Sequence, residues 1–186
     1  MFEEILARIA ECLDRRRIPY MVIGGQAVLL YGEPRLTRDI DITLGVDVDR
    51  LKDVLTAAAD LSLNILPEKP ESFVRQTMVL PAAENSSGIR VDFIFSLTPY
   101  EREAIQRAKR VSIREQEVSF ASPEDLVIHK IFAGRPRDLE DVRSVLLCND
   151  GLDFRYVRKW LKEFDSFSDQ KNFLKPFEEI LKGLKR

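Results

Sequence analysis

Asp39-Ile40-Asp41 sets two carboxylates two residues apart in a stretch, Arg38 to Leu44, that alternates polar and apolar residues. Alternation is the period of a half-buried strand, where residues i and i+2 share a face, so both carboxylates project together while Ile40 and Ile42 face a core. Like charges at that distance repel unless a cation lies near them, and hard divalent ions such as Mg²⁺ take carboxylate oxygens. The competing reading is the solvated edge of a strand, although Asp is a poor strand residue. Gly24-Gly25 follows a short apolar run, Tyr20 to Ile23. A diglycine there lets a backbone come close to a phosphate at a helix N-terminus, or simply makes a tight strand-to-helix turn. A third carboxylate, Asp92, lies inside Val91-Asp92-Phe93-Ile94-Phe95. An unpaired charge is costly in such a run, so Asp92 is either a metal ligand or the partner of an arginine such as Arg90 or Arg38. Three carboxylates on strands beside a diglycine turn point together to phosphoryl or nucleotidyl transfer with one or two Mg²⁺.

The elements that must position these groups are legible from periodicity. Phe2, Ile5, Leu6, Ile9, Cys12 and Leu13 recur at helical spacing, and Ile18-Pro19 ends that helix. Strands are expected at 20–23, 38–44, 61–66, 73–80 and 89–95, with a short one at 117–121. A helical turn or two follows Gly25, and another helix has Asp47 as its N-cap. Thr98-Pro99-Tyr100-Glu101 carries the capping-box pattern with Pro at N1, starting a helix that runs to about Ala108. From Ser122 onward the pattern is all helix, in segments at about 123–134, 137–148, 154–164 and 169–184. The fold class expected is α+β: a small mixed sheet of about five strands with flanking helices, followed by a helical half. The division falls at a change of texture, with an α/β core over 1–121 and a helical region over 122–186.

The stretches Ile23-Gly24-Gly25-Gln26-Ala27, Arg35-Leu36-Thr37-Arg38-Asp39-Ile40-Asp41-Ile42 and Val91-Asp92-Phe93 resemble the nucleotidyltransferase superfamily typified by DNA polymerase beta. The Gly-Gly form is similar to minimal antibiotic-type enzymes and to the type IV abortive-infection toxin nucleotidyltransferases. Glu124 to Asp141, with Lys130 on a helix ahead of Arg135-Pro136-Arg137-Asp138, resembles the toxin branch in particular. The resemblance covers about residues 20–145. It implies that Asp39 and Asp41 hold Mg²⁺, that Asp92 is a further ligand or the base, and that Gly24 and Gly25 hold the triphosphate by backbone N–H groups. It also implies a catalytic set of Asp39, Asp41, Asp92 and Lys130, and a nucleotide site to which Arg38, Lys130 and Asp138 belong, with Asp138 orienting Lys130 or touching the acceptor. Position 25 is Gly where many relatives have Ser, so a hydroxyl contact to phosphate is missing there.

Composition sets the outer bounds. In 186 residues, 29 Lys and Arg oppose 31 Asp and Glu for a net charge of −2, which excludes a generic cationic coat for nucleic acid. Two cysteines and one histidine argue against a disulfide scaffold and against zinc. Cys12 and Cys148 are expected as buried, reduced thiols of a cytoplasmic protein, with no membrane span or signal segment. His129 is expected to be structural, as are Trp160 and the phenylalanines at 154, 164, 167, 173 and 177, which suit helix packing. The leading expectation is Mg²⁺-dependent transfer of a nucleoside monophosphate from a nucleoside triphosphate to a hydroxyl on an RNA 3′ end, a protein or a small molecule. A toxin role would bring a cognate antitoxin as partner. The alternative is a nucleotide- or partner-binding regulator on the same fold with negligible turnover. A phosphate-ester hydrolase ranks last, because one histidine is too few for its usual ligands.

Overall fold

Two compact units are present in the computed structural model, which describes residues 1–96, 98–168 and 172–184. One unit comprises residues 1–26 and 36–121, the other residues 27–35 and 122–186.

The first unit is built on a mixed sheet with seven strands among the described residues, in the order β3-β4-β5-β2-β1-β7-β6. These are β1 (Tyr20–Ile23), β2 (Asp39–Leu44), β3 (Leu63–Ile65), β4 (Val79–Glu84), β5 (Arg90–Phe95), β6 (Lys109–Ile113) and β7 (Gln116–Phe120). The count exceeds the five expected because a hairpin, β6–β7, occupies the stretch where a single short strand was read. Lys109, Arg110, Ser112 and Glu117 interrupt its apolar pattern, and its turn uses Arg114 and Glu115 at positive φ. A second correction concerns residues 73–80. Pro70–Thr77 is a helix, α4, started by Pro70 at N1 and closed by Met78 in the left-handed conformation, and only Val74 of it is buried. Of the expected strand, 73–77 lie in that helix and only Val79 and Leu80 in a strand, the start of β4.

The sheet centre explains itself from alternation. β2 pairs parallel to β5, with Ile40 opposite Val91, Ile42 opposite Phe93 and Leu44 opposite Phe95, and all six are essentially inaccessible. β1 pairs antiparallel to β2 and parallel to β7. Helices α1 (Phe2–Arg15), α3 (Leu51–Asp60) and α5 (Pro99–Arg107) flank the sheet. α1 packs on β6, β7 and α3, burying Ile5, Leu6, Ile9, Cys12 and Leu13. Asp47 caps the 3-10 turn Val48–Arg50 that leads into α3, and the Thr98 hydroxyl caps α5 by accepting from the Glu101 N–H.

Helix α2 (Gly24–Tyr31) begins in the sheet unit and continues from Ala27 in the helical unit. The remaining helices are α6 (Pro123–Ala133), α7 (Pro136–Cys148), α8 (Phe154–Ser166) and α9 (Leu174–Leu184). The expected start of the last helix at 169 lies outside the described residues. Leu126, Val127, Ile131, Val142, Val145, Val157, Leu161, Phe177 and Ile180 fill this unit's core. Phe132, Trp160, Phe164 and Phe173 form an aromatic cluster, with Phe132 stacked on Phe173 at 5.0 Å between centroids, and Phe154 meets Phe177 edge to face at 6.0 Å. Phe167 departs from the expectation and is exposed. So is Cys148, at the last residue of α7 beyond the packed stripe of Val142 and Val145; Cys12 is buried as expected.

Thr43 continues the row of Asp39 and Asp41 along β2. It is 1% exposed and its hydroxyl has no hydrogen-bond partner among the described residues. An unsatisfied buried hydroxyl costs about 1–3 kcal/mol, so Thr43→Val, which keeps the shape, is expected to raise stability by about 1 kcal/mol, read as a higher midpoint in urea unfolding.

Candidate functional site

Asp39 and Asp41 project from the face of β2 opposite the Ile40-Ile42-Leu44 core, as period two requires. Parallel register then sets Arg90 beside Asp39 and Asp92 beside Asp41. Neighbouring strands lie about 4.8 Å apart, so four charged groups occupy one small patch, three negative and one positive. Arg90 Nε donates to both oxygens of Asp92, at 2.8 and 2.9 Å. Its guanidinium is held above its ordinary pKa first by the hydrogen bond to Asp92, then by the charges of Asp92, Asp39 and Asp41. The arginine therefore neutralises part of a carboxylate cluster that would otherwise repel itself.

The diglycine turn closes against the same patch. Gly24 has φ +65°, and a Cβ there would fall 2.0 Å from Asp41 Oδ2, so conformation and space both disfavour a side chain, which would have to push the Asp41 carboxylate aside. A Cβ on Gly25 would fall 2.2 Å from Thr37 Oγ1. The Thr37 hydroxyl donates to the Asp39 carboxylate at 3.2 Å and lies 3.4 Å from the Asp39 carbonyl, which Gln26 Nε2 also approaches at 3.4 Å. The sheet unit thus brings together Gly24, Gly25, Asp39, Asp41 and Asp92, and Arg38 is exposed next to Asp39 in sequence. With Asp92 turned onto Arg90, no group of three metal-ligating side chains converges among the described residues. The donor set is nevertheless that of a hard cation: carboxylate oxygens on one face, with a cationic guanidinium already in their field.

The helical unit holds Lys130 and Asp138. Ser122 caps α6, accepting from the Asp125 N–H at 3.1 Å, and Gly134 ends it in the left-handed conformation. Lys130 is 6% exposed, and its Nζ lies 3.0 Å from Asp138 Oδ1 and 2.8 Å from Asp141 Oδ2. Arg135 donates to Asp138 at 2.6 Å, and Arg35 grips Asp141 with two bonds of 2.7 and 2.8 Å. Burial alone would raise both carboxyls; the hydrogen bonds from Arg135 and Lys130 to Asp138, and from Arg35 and Lys130 to Asp141, outweigh it and hold both below the ordinary range. Arg35 and Asp141 were not singled out in the sequence as site residues. The available signal was an arginine two residues before Thr37 and an acid three residues, one helical turn, after Asp138. His129, adjacent to Lys130, is pushed down to about 4, by burial first and by the Lys130 charge second.

The pattern defining the family described as "Nucleotidyltransferase of unknown function (DUF6036)" matches residues 1–180. No curated protein matches the chain by sequence. Among solved structures, ANT(2")-Ia in complex with adenylyl-2"-tobramycin is 19% identical, with a TM-score of 0.60 over 88% of this chain and 97% of that one. Lincosamide antibiotic adenylyltransferase LnuA, lincomycin-bound, is 16% identical, with a TM-score of 0.54 over 78% of this chain and 97% of that one. An antigenic nucleotidyltransferase-like protein from Paracoccidioides brasiliensis is 19% identical, with a TM-score of 0.54 over 77% of this chain and 73% of that one. At these identities the likeness is one of fold.

Two outcomes are expected of the helical cluster. Lys130→Met should cost about 3 kcal/mol in chemical unfolding, at the low end for a broken buried pair because each carboxylate keeps an arginine. His129 should make the protein acid-labile. Its folded pKa lies below its unfolded value of 6.5, so the unfolded chain binds a proton that the folded one refuses, and stability falls as pH drops from 6.5 toward about 4. The urea midpoint of wild type should fall across that window more steeply than that of His129→Gln; parallel curves would show that His129 titrates normally.

Proposed function

This chain belongs to the nucleotidyltransferase family DUF6036, and from that premise we propose that it moves a nucleoside monophosphate from a nucleoside triphosphate to an acceptor hydroxyl, with Mg²⁺ held by Asp39, Asp41 and Asp92. The observation that carries this reading is the single face on which those three carboxylates stand, directly against the Gly24-Gly25 turn. When bound, Mg²⁺ supplies neutralisation of the phosphate oxygens. The chain's own groups supply position and proton transfer. Backbone N–H groups in the first turn of α2, from Gly24 and Gly25 onward, take triphosphate oxygens, favoured by the positive end of the helix dipole. Arg38 and Lys130 are assigned to nucleotide binding, with Asp138 at that site orienting Lys130, as the sequence resemblance implies. Asp92, once released from Arg90, accepts the proton of the acceptor hydroxyl. The hydroxyl oxygen bonds to the α-phosphorus, the bond from that phosphorus to the bridging oxygen breaks, and pyrophosphate leaves.

Three acceptor classes carry the required hydroxyl: an RNA 3′ end, a protein side chain and a small molecule. The toxin-like sequence resemblance favours a system with a cognate antitoxin, whereas the fold is also that of enzymes named for antibiotic adenylyl transfer. A second reading has its own support in the Arg90–Asp92 pair, which occupies the carboxylate needed as base: a nucleotide-binding regulator with negligible turnover.

The test is incubation with each of four α-labelled nucleoside triphosphates and Mg²⁺, separately with total RNA, total protein and a set of small polyhydroxylated acceptors. Label should move to one acceptor class, and chelation should stop it. Asp39→Asn and Asp41→Asn should each lower transfer by more than about 100-fold, the upper end for loss of a merely outer-shell partner. Gly24→Ala should do the same while remaining folded, because its Cβ displaces the Asp41 carboxylate. Nucleotide binding without transfer to any acceptor would select the regulatory reading.

A further inference from the structure

The two glycines of the turn are required for different reasons. Gly24 is at φ +65°, but Gly25 has no left-handed conformation to protect, so its backbone would accept any L-residue. Its missing side chain is explained by space alone. Thr37 Oγ1 lies 2.2 Å, and Thr37 Cβ 2.8 Å, from where a Cβ at position 25 would be. The first turn of α2 therefore carries a hydroxyl at its second residue, delivered from the loop before β2 instead of from the helix itself.

That hydroxyl is weakly committed. Its two acceptors both belong to Asp39, at 3.2 and 3.4 Å, where a good O–H···O bond is about 2.7–2.8 Å. The carbonyl is shared with Gln26 Nε2 at 3.4 Å. Thr37 Oγ1 and Gln26 Nε2 reach Asp39 only at 3.2 to 3.4 Å, and the first-turn N–H groups of a helix have no partner within the helix, so donors stand ready here for an incoming anion. A hydroxyl also rotates freely about its C–O bond, so it can exchange one acceptor for another without moving the backbone.

We infer that Thr37 is a triphosphate-positioning residue: its hydroxyl leaves the Asp39 carboxylate when nucleotide enters and donates to a phosphate oxygen held at the first turn of α2. The exchange also frees a lone pair on Asp39. This inference rests on the proposed nucleotide site and adds to it the residue that replaces a side chain at position 25.

Equilibrium binding separates the two. Wild type, Thr37→Val, Thr37→Ser and the transplant Gly25→Ser/Thr37→Gly are titrated with the triphosphate that wild type binds most tightly and with its monophosphate, and melting temperatures are recorded alongside. Thr37→Val should weaken triphosphate binding by about tenfold or more, the size of one hydrogen bond to a charged acceptor, and shift the monophosphate by less than about twofold at an unchanged melting temperature. Thr37→Ser should bind within about threefold of wild type, and a folded transplant should recover most of the loss. If wild type binds nucleotide and Thr37→Val weakens neither ligand, or both equally, the assignment of Thr37 is overturned and the proposed site stands. A wild type that binds no triphosphate overturns the proposed function, and the role of Thr37 with it.

Discussion

Repulsion among carboxylates gathered on one sheet face is the constraint around which the first unit is organised. Parallel pairing of β2 with β5 makes the apolar core by matching Ile40, Ile42 and Leu44 to Val91, Phe93 and Phe95. The same register forces Asp41 beside Asp92 on the opposite face, because one residue of slip would turn every side chain over. Burying the core and crowding the acids are one event. The crowding is relieved by Arg90, by the hydroxyl of Thr37 and by half-exposure to water. None of these satisfies three carboxylates as fully as a divalent cation with its phosphate ligands would.

The helical unit solves a similar problem by the opposite means. Asp138 and Asp141 are buried, and three cations from three segments, Arg35, Lys130 and Arg135, neutralise them with short, partly bidentate bonds. Such a cluster holds chain segments far apart in sequence in one arrangement, since each buried carboxylate is shared between Lys130 and one arginine and loses part of its neutralisation when either is removed. Arg35 ends the short segment 27–35, so its grip on Asp141 ties that segment to α7. Nothing in the texture of residues 27–35 announces this grouping with helices that begin almost a hundred residues later.

Much of the fold was legible because its signals are local. The helices announced themselves through N-caps at Thr98 and Ser122, prolines at N1 and the spacing of apolar residues. The central strands announced themselves through alternation. Errors arose where local signals were weak. Residues 73–80 read as a strand although most of them belong to the helix Pro70–Thr77, and the hairpin of β6 and β7 hid its first strand under exposed charges. Arg90 was visible as one of two candidate partners for Asp92; that it is the partner depends on rotamer and register.

Sequence alone determined which chemistry the chain can attempt: Asp39, Asp41 and Asp92 carry their charge and the glycines their freedom wherever they are placed. Period two put Asp39 and Asp41 on a common face before any tertiary contact was known. Only the tertiary structure decided that Asp92 joins them across a ladder, that Arg90 occupies the field they create, and that the hydroxyl of Thr37 fills the space left open at Gly25. The physical reason is range. Backbone geometry and side-chain periodicity act over a few residues, whereas charge neutralisation and close packing act over a few ångströms between residues that the chain alone keeps far apart.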